Sequence, residues 1–201
     1  DSVAMLNESK DLLAQLNTQV ISSVAENLDQ QVLVVKQRNG QVGAIVCAIP
    51  FIRPRDVQRS QAGQSAEDKQ SDLQQAIAEH YAQLFAKAET KRAQLGVNVP
   101  IIGTGHLTTV GVSVTESVRE IYVGSLTAFP TDAFPAFDYL ALGHIHRPQK
   151  VAGLGGFRGC RFGRADLNFR HLDFGAGLQL FQIVVDGLAL QHLLNLRFQF
   201  I

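Results

Sequence analysis

Between Ser65 and Gly96 the residues Leu73, Ile77, Tyr81, Leu84 and Ala88 recur at a spacing that places them on one face of a helix, and short apolar runs lie on both sides of that segment. A long helix with a single apolar stripe, interleaved with strands, buries that stripe against a sheet, which points the chain to an α/β layered architecture. Ser65 followed three residues later by Asp68 predicts a capped start, and Gly96 predicts the stop. Upstream, the β-branched runs 32–35 and 42–49 are separated by Asn39-Gly40, a pair that tolerates positive φ, and together predict a β-hairpin closed off by Pro50 and Pro54. Downstream, residues 99–103 and 139–143 are apolar, end in Gly and read as buried strands whose sites lie beyond the strand ends. Met5, Leu6, Leu12, Leu13 and Leu16 predict a short amphipathic helix, with Asn7 as a cap and Asn17 at its close.

Charge narrows the partners. Eighteen Lys and Arg balance eighteen Asp and Glu, so the chain lacks the cationic surplus that drives general nucleic-acid affinity, and any DNA contact must come from a local patch. Arg53, Arg55 and Arg59 form one such cluster after the second strand; a solvated loop is weighed ahead of a phosphate contact there. Two cysteines, Cys47 and Cys160, are too few for a disulfide framework or a thiolate zinc site, which fits a reducing cytoplasm. The longest run without a polar side chain, residues 42–52, falls well short of the ~20 needed to cross a bilayer. Residues 1–10 lack the order of a secretion signal. With no initiating Met and a helical pattern almost from Asp1, the chain is expected to be a piece of a longer one.

The composition breaks at Lys150. Residues 151–201 hold no Lys, Glu, Ser, Thr, Tyr or Pro, yet contain eight of the 17 Gly and seven of the 12 Phe. We therefore divide the chain into a domain at 1–150 and an anomalous tail at 151–201, for which a frameshift or foreign sequence is expected over a natural domain end. Residues 178–190 could still form a hairpin around Asp186-Gly187.

Three of the six histidines stand where strands end: His106 after Gly103-Thr104-Gly105, and His144 and His146 after Leu142-Gly143. Neutral imidazole is a good ligand for divalent transition metals, and a preceding Gly allows close approach to an ion. The i, i+2 spacing of His144 and His146 either points both rings to one side or lets them reach two ions. From spacing alone, metal binding and buried or capping histidines weigh equally. His80 is expected at the surface of the long helix, and His171 and His192 lie in the tail. No nucleophile elbow and no phosphate-cradling Gly-rich loop is present.

The segments Gly105-His106-Leu107-Thr108-Thr109-Val110-Gly111, Ile121-Tyr122-Val123-Gly124 and Phe137-Asp138-Tyr139-Leu140-Ala141-Leu142-Gly143-His144-Ile145-His146-Arg147 closely resemble the SbcD family of nuclease subunits, within the calcineurin-like metallophosphoesterase superfamily. Asp1-Ser2-Val3-Ala4 and residues 49–56 are similar to the same family, and the resemblance runs to about Lys150. It implies a partial αββα sandwich that lacks its N-terminal strands. It also implies a cytoplasmic DNA exonuclease and hairpin endonuclease serving recombination, replication and repair, with two manganese ions, an SbcC-type ATPase partner, DNA as substrate, and a homodimer in the intact complex, away from membranes. Carried over residue by residue, His106 and His144 would ligate one ion and His146 the other. The family's Asp-x-His motif, bridging Asp and Asn-His pair would all precede Asp1. The resemblance thus implies no catalytic residue in this chain and little activity for it alone. The family's Gly-Ser-Pro continuation is not found in the tail. Two other readings remain: a different calcineurin-like phosphoesterase, and a non-catalytic remnant that only contacts a partner chain or DNA.

Overall fold

The computed structural model describes residues 3–16, 18–37, 39–58, 63–109 and 128–143, together with the strand backbones at 160–162 and 182–185. The element that organises them is helix α3 (Ala66–Leu95), the third α-helix among the described residues. Ser65 caps it by accepting the Asp68 N–H, and Gly96 ends it at φ 62°, in the left-handed region that glycine reaches without strain. Its buried face consists of Leu73, Ile77, His80, Tyr81, Leu84 and Ala88. This corrects the expectation, drawn from its polar neighbour Glu79, that His80 lies at the surface. The steps from 73 to 77, 80 and 84 trace one helical stripe, and His80 keeps 6% of its surface exposed.

The hairpin forms as the Asn39-Gly40 pair predicts. Strands β2 (Val32–Lys36) and β3 (Val42–Cys47) pair antiparallel from Val32 opposite Cys47, with a register shift between Val35 and Lys36. Gly40 takes φ 84°, and the Asn39 side chain accepts the Gln41 N–H. Strand β4 (Ile101–His106) begins two residues later than its apolar run suggests and continues to the histidine; β5 (Tyr139–Gly143) matches the sequence reading. Strands β3, β4, β5 and β6 (Cys160–Phe162) are parallel, giving the order β2-β3-β4-β5-β6. A second, two-stranded sheet joins β1 (Thr18–Ile21) to β7 (Gln182–Val185). The expected hairpin around Asp186-Gly187 lies outside the described residues.

One face of the larger sheet presents Val32, Ile45, Cys47, Ile101, Leu140 and Leu142 to the α3 stripe, and Phe129, Phe134 and Phe137 complete this core. On the other face Val35, Ala44, Val46, Ile102, Thr104 and Tyr139 are buried as well. Burial on both faces is why these strands are continuous apolar runs and do not alternate. The architecture is mixed α/β, as expected, and is consistent with part of a metallophosphoesterase sandwich.

Two local expectations change. Helix α1 (Val3–Gln15) begins before Asn7, so Asn7 does not cap it; its Oδ1 instead accepts a hydrogen bond from Ser22 Oγ at 2.5 Å, just beyond β1. Met5 and Leu12 of this helix, and Leu16 just past its end, are each about two-thirds exposed. After Pro50 the chain also turns through a short helix, α2 (Pro54–Val57), where a loop was expected. Among the described residues no helix is long and apolar enough to cross a membrane.

Candidate functional site

In parallel sheets, strand direction places functional groups at the carboxyl ends, where helices no longer cover the backbone. Here β3, β4 and β5 run the same way, and the β4–β5 register sets His106 opposite Gly143. His106 is half-buried at the end of β4. Residue 144 follows Gly143 in the chain, but His144 and His146 lie outside the described residues.

The start of the β4–β5 pairing is fixed by a reciprocal clamp. The Ile101 N–H donates to Asp138 Oδ2 at 2.9 Å, and the Asp138 N–H donates to the Ile101 carbonyl at 3.0 Å. Arg92 of α3 stands 3.7 Å from the same carboxylate oxygen and 3.4 Å from the Val99 carbonyl, which closes the corner. Phe137, one residue earlier, is 1% exposed and packs edge-on against Phe85 and Tyr81. The Phe137-Asp138-Tyr139 motif thus aligns β5 with β4, at the end of the strands away from His106.

The glycines before His106 have a different purpose from the one the sequence suggests. A β-carbon on Gly103 would come within 2.9 Å of Leu140 and of two ring atoms of Phe137, and one on Gly105 would collide with the Tyr81 hydroxyl. That hydroxyl donates to the Thr104 carbonyl at 3.2 Å. Both glycines face the α3 core, so they bring helix and strand together and do not open a path to an ion. On the opposite side of β4, Thr104 Oγ1 accepts the Ile49 N–H at 2.8 Å and lies 3.2 Å from the Cys47 carbonyl. Phe51 meets the His106 ring with centroids 5.8 Å apart and planes at 84°.

Burial shifts the titration of two other side chains. Burial pushes the Cys47 thiol up to about 12, so it remains a thiol and not a reactive or metal-binding thiolate. Burial also lowers the pKa of His80, and its Nε2 has no hydrogen-bond partner among the described residues. Of the arginine cluster, Arg53 is held by Asp56 at 2.8 Å, Arg55 is exposed, and Arg59 lies outside the described residues.

Among the described residues no group of three His, Cys, Asp or Glu side chains could hold a metal ion. His106 is the one member of the expected ligand set among the described residues, and a single imidazole does not fix an ion. The residues that sequence reasoning missed are Thr104, Phe51 and Tyr81, which set the surroundings of His106. Tyr81 was visible as a core position on the helix, but its contact with Gly105 bridges distant parts of the chain and leaves no local signal.

The chain is similar to the SbcD subunits of the SbcCD nuclease from Escherichia coli strain K12 and from Escherichia coli O157:H7, with 49% identity over 160 residues in each case. The match takes in 80% of this chain and 38% of each relative. The SbcD subunit of the same nuclease from Rhodobacter capsulatus is 29% identical over 160 residues, covering 76% of this chain and 38% of its own length. The chain therefore spans well under half the length of these relatives. No protein-family model matches it.

Proposed function

We propose, from the premise that the chain carries a fragment of SbcD-type sequence, that it forms part of a nuclease subunit hydrolysing DNA phosphodiester bonds as a double-strand exonuclease and hairpin endonuclease. The observation that carries this reading is the 49% identity to SbcCD nuclease subunits over four-fifths of the chain. The alignment of His106 with Gly143 supports it, because a parallel ladder brings the ends of two His-bearing segments to one edge of the sheet.

In this reading His106 and His144 contribute to one manganese site and His146 to a second, with further ligands from family motifs that this sequence does not contain. Such a pair of ions supplies Lewis-acid activation of the scissile phosphate and of the attacking water. The chain's own contribution is to deliver imidazoles from two neighbouring strand ends. The intact protein would work in the cytoplasm as a homodimer with an SbcC-type ATPase partner, and the chain alone would cut little DNA.

Calorimetric titration with manganese tests the reading. Binding is expected to strengthen when a segment bearing the Asp-x-His and Asn-His motifs is added, and to weaken by about tenfold or more in His106→Ala or His144→Ala. No manganese binding with that segment present would sink the proposal and favour a non-catalytic remnant. Robust cleavage of labelled hairpin DNA by the chain alone would contradict the proposed inactivity.

A further inference from the structure

We infer that Phe51 is a positioning residue that sets the direction of the His106 imidazole, an inference that rests on the proposed role of His106 as a site residue. The two rings meet at 84° with centroids 5.8 Å apart, an arrangement favoured by the opposite partial charges of an aromatic face and rim.

Phe51 reaches this place because the chain that carries it is pinned beforehand. Thr104 and His106 are two residues apart on one strand, so their side chains leave β4 on the same side. Thr104 Oγ1 takes the Ile49 N–H, and two residues farther along both chains Phe51 meets His106. From the other flank, the Ala48 N–H donates to the Gln31 carbonyl at 2.8 Å, while Gln31 Nε2 donates to the Ala48 carbonyl at 3.0 Å. Gln31 is fully buried, and its Oε1 accepts the Ala25 N–H. Pro50 then restricts φ between the anchored Ile49 and Phe51. Three constraints thus act on a segment of four residues, and they deliver the ring at its end to the His106 imidazole. A ring set edge-on against an imidazole removes part of its rotamer freedom before any ligand arrives. The sheet positions the His106 backbone and Phe51 orients its ring.

NMR of the full chain tests this. In the unaltered chain, cross-peaks are expected between the Phe51 ring protons and His106 Hδ2 or Hε1, with three-bond couplings that report one His106 χ1 rotamer. Phe51→Leu is expected to average those couplings and shift the ring resonances, and Phe51→Tyr to preserve both. Thr104→Val, which alters neither ring, is expected to average them too by releasing Ile49. Absence of the ring-to-ring cross-peaks in the unaltered chain, or unchanged His106 couplings in Phe51→Leu, would overturn the inference. The cross-peaks are read without any substitution, so a variant that fails to fold does not decide the outcome. An ordered His106 that takes up no manganese would remove the functional reading and leave this inference standing.

Discussion

The hydroxyl of Tyr81 fills the space that a β-carbon on Gly105 would need, and it donates to the carbonyl of Thr104 at 3.2 Å. Helix α3 and strand β4 are brought together at that point, one residue before His106. Gly105→Ala is therefore expected to destabilise the fold by about 1–3 kcal/mol, the usual range for overpacking. In a Tyr81→Phe background the cost should fall, because the colliding oxygen is gone. Urea denaturation of both single variants and the double variant gives the coupling; strict additivity would contradict the proposed collision.

Thr104 holds the segment after β3 through its hydroxyl. Thr104→Val keeps the shape and removes the acceptor, leaving the Ile49 N–H buried without its partner at a cost of about 1–3 kcal/mol. Thr104→Ser retains the hydroxyl and should lose less. Equal denaturation midpoints for Val and Ser would argue against this role.

His80 makes stability depend on pH in a definite direction. Burial lowers its folded pKa below the ordinary 6.5, so the unfolded chain binds the proton more readily than the folded one. The contribution is present above pH 6.5 and is lost as the pH falls below 6.5 through the folded pKa. His80→Leu is expected to flatten the acid side of the stability curve while leaving the neutral and alkaline limb level. An unchanged slope on the acid side would show that other groups carry it.

The two ends of α3 offer independent tests of its caps. Ser65→Ala removes the acceptor for the Asp68 N–H, and Gly96→Ala places a side chain at φ 62°. Each is expected to cost about 1 kcal/mol, and the two should add because a thirty-residue helix separates them. Thermal melting of the single and double variants measures both.

Met5 and Leu12 on α1, and Leu16 just past its end, are each about two-thirds exposed. Leu12→Lys is expected to change the folding stability of the chain by no more than about 0.5 kcal/mol in a denaturation experiment.

What could be read from the sequence was what local chemistry encodes. The Ser65 and Gly96 caps, the Asn39-Gly40 turn and the apolar runs of β3, β4 and β5 each act within a few residues, and each element forms at its signal, with the bounds of β3 and β4 shifted by two or three residues. His80 was misplaced because its immediate neighbours were weighed instead of its helical stripe, a signal that was present. Asn7 was misread because its partner, Ser22, lies outside the helix that it was expected to cap. Gly105 was read against an ion because its actual neighbour, Tyr81, lies on another element and is brought close only by packing. Strand β1 pairs with the distant β7; Thr18, Val20 and Ile21 are β-branched, but so short a segment does not reveal a partner that lies far along the chain.

The pairing of His106 with Gly143 has a consequence for how such proteins can diverge. The separation of those two positions is set sideways, by hydrogen bonds between adjoining strands, and not along the chain that joins them. The connection can lengthen, shorten or change its residues while the ruler itself stays still. Histidine placement can therefore outlast extensive drift in everything strung between the two strands.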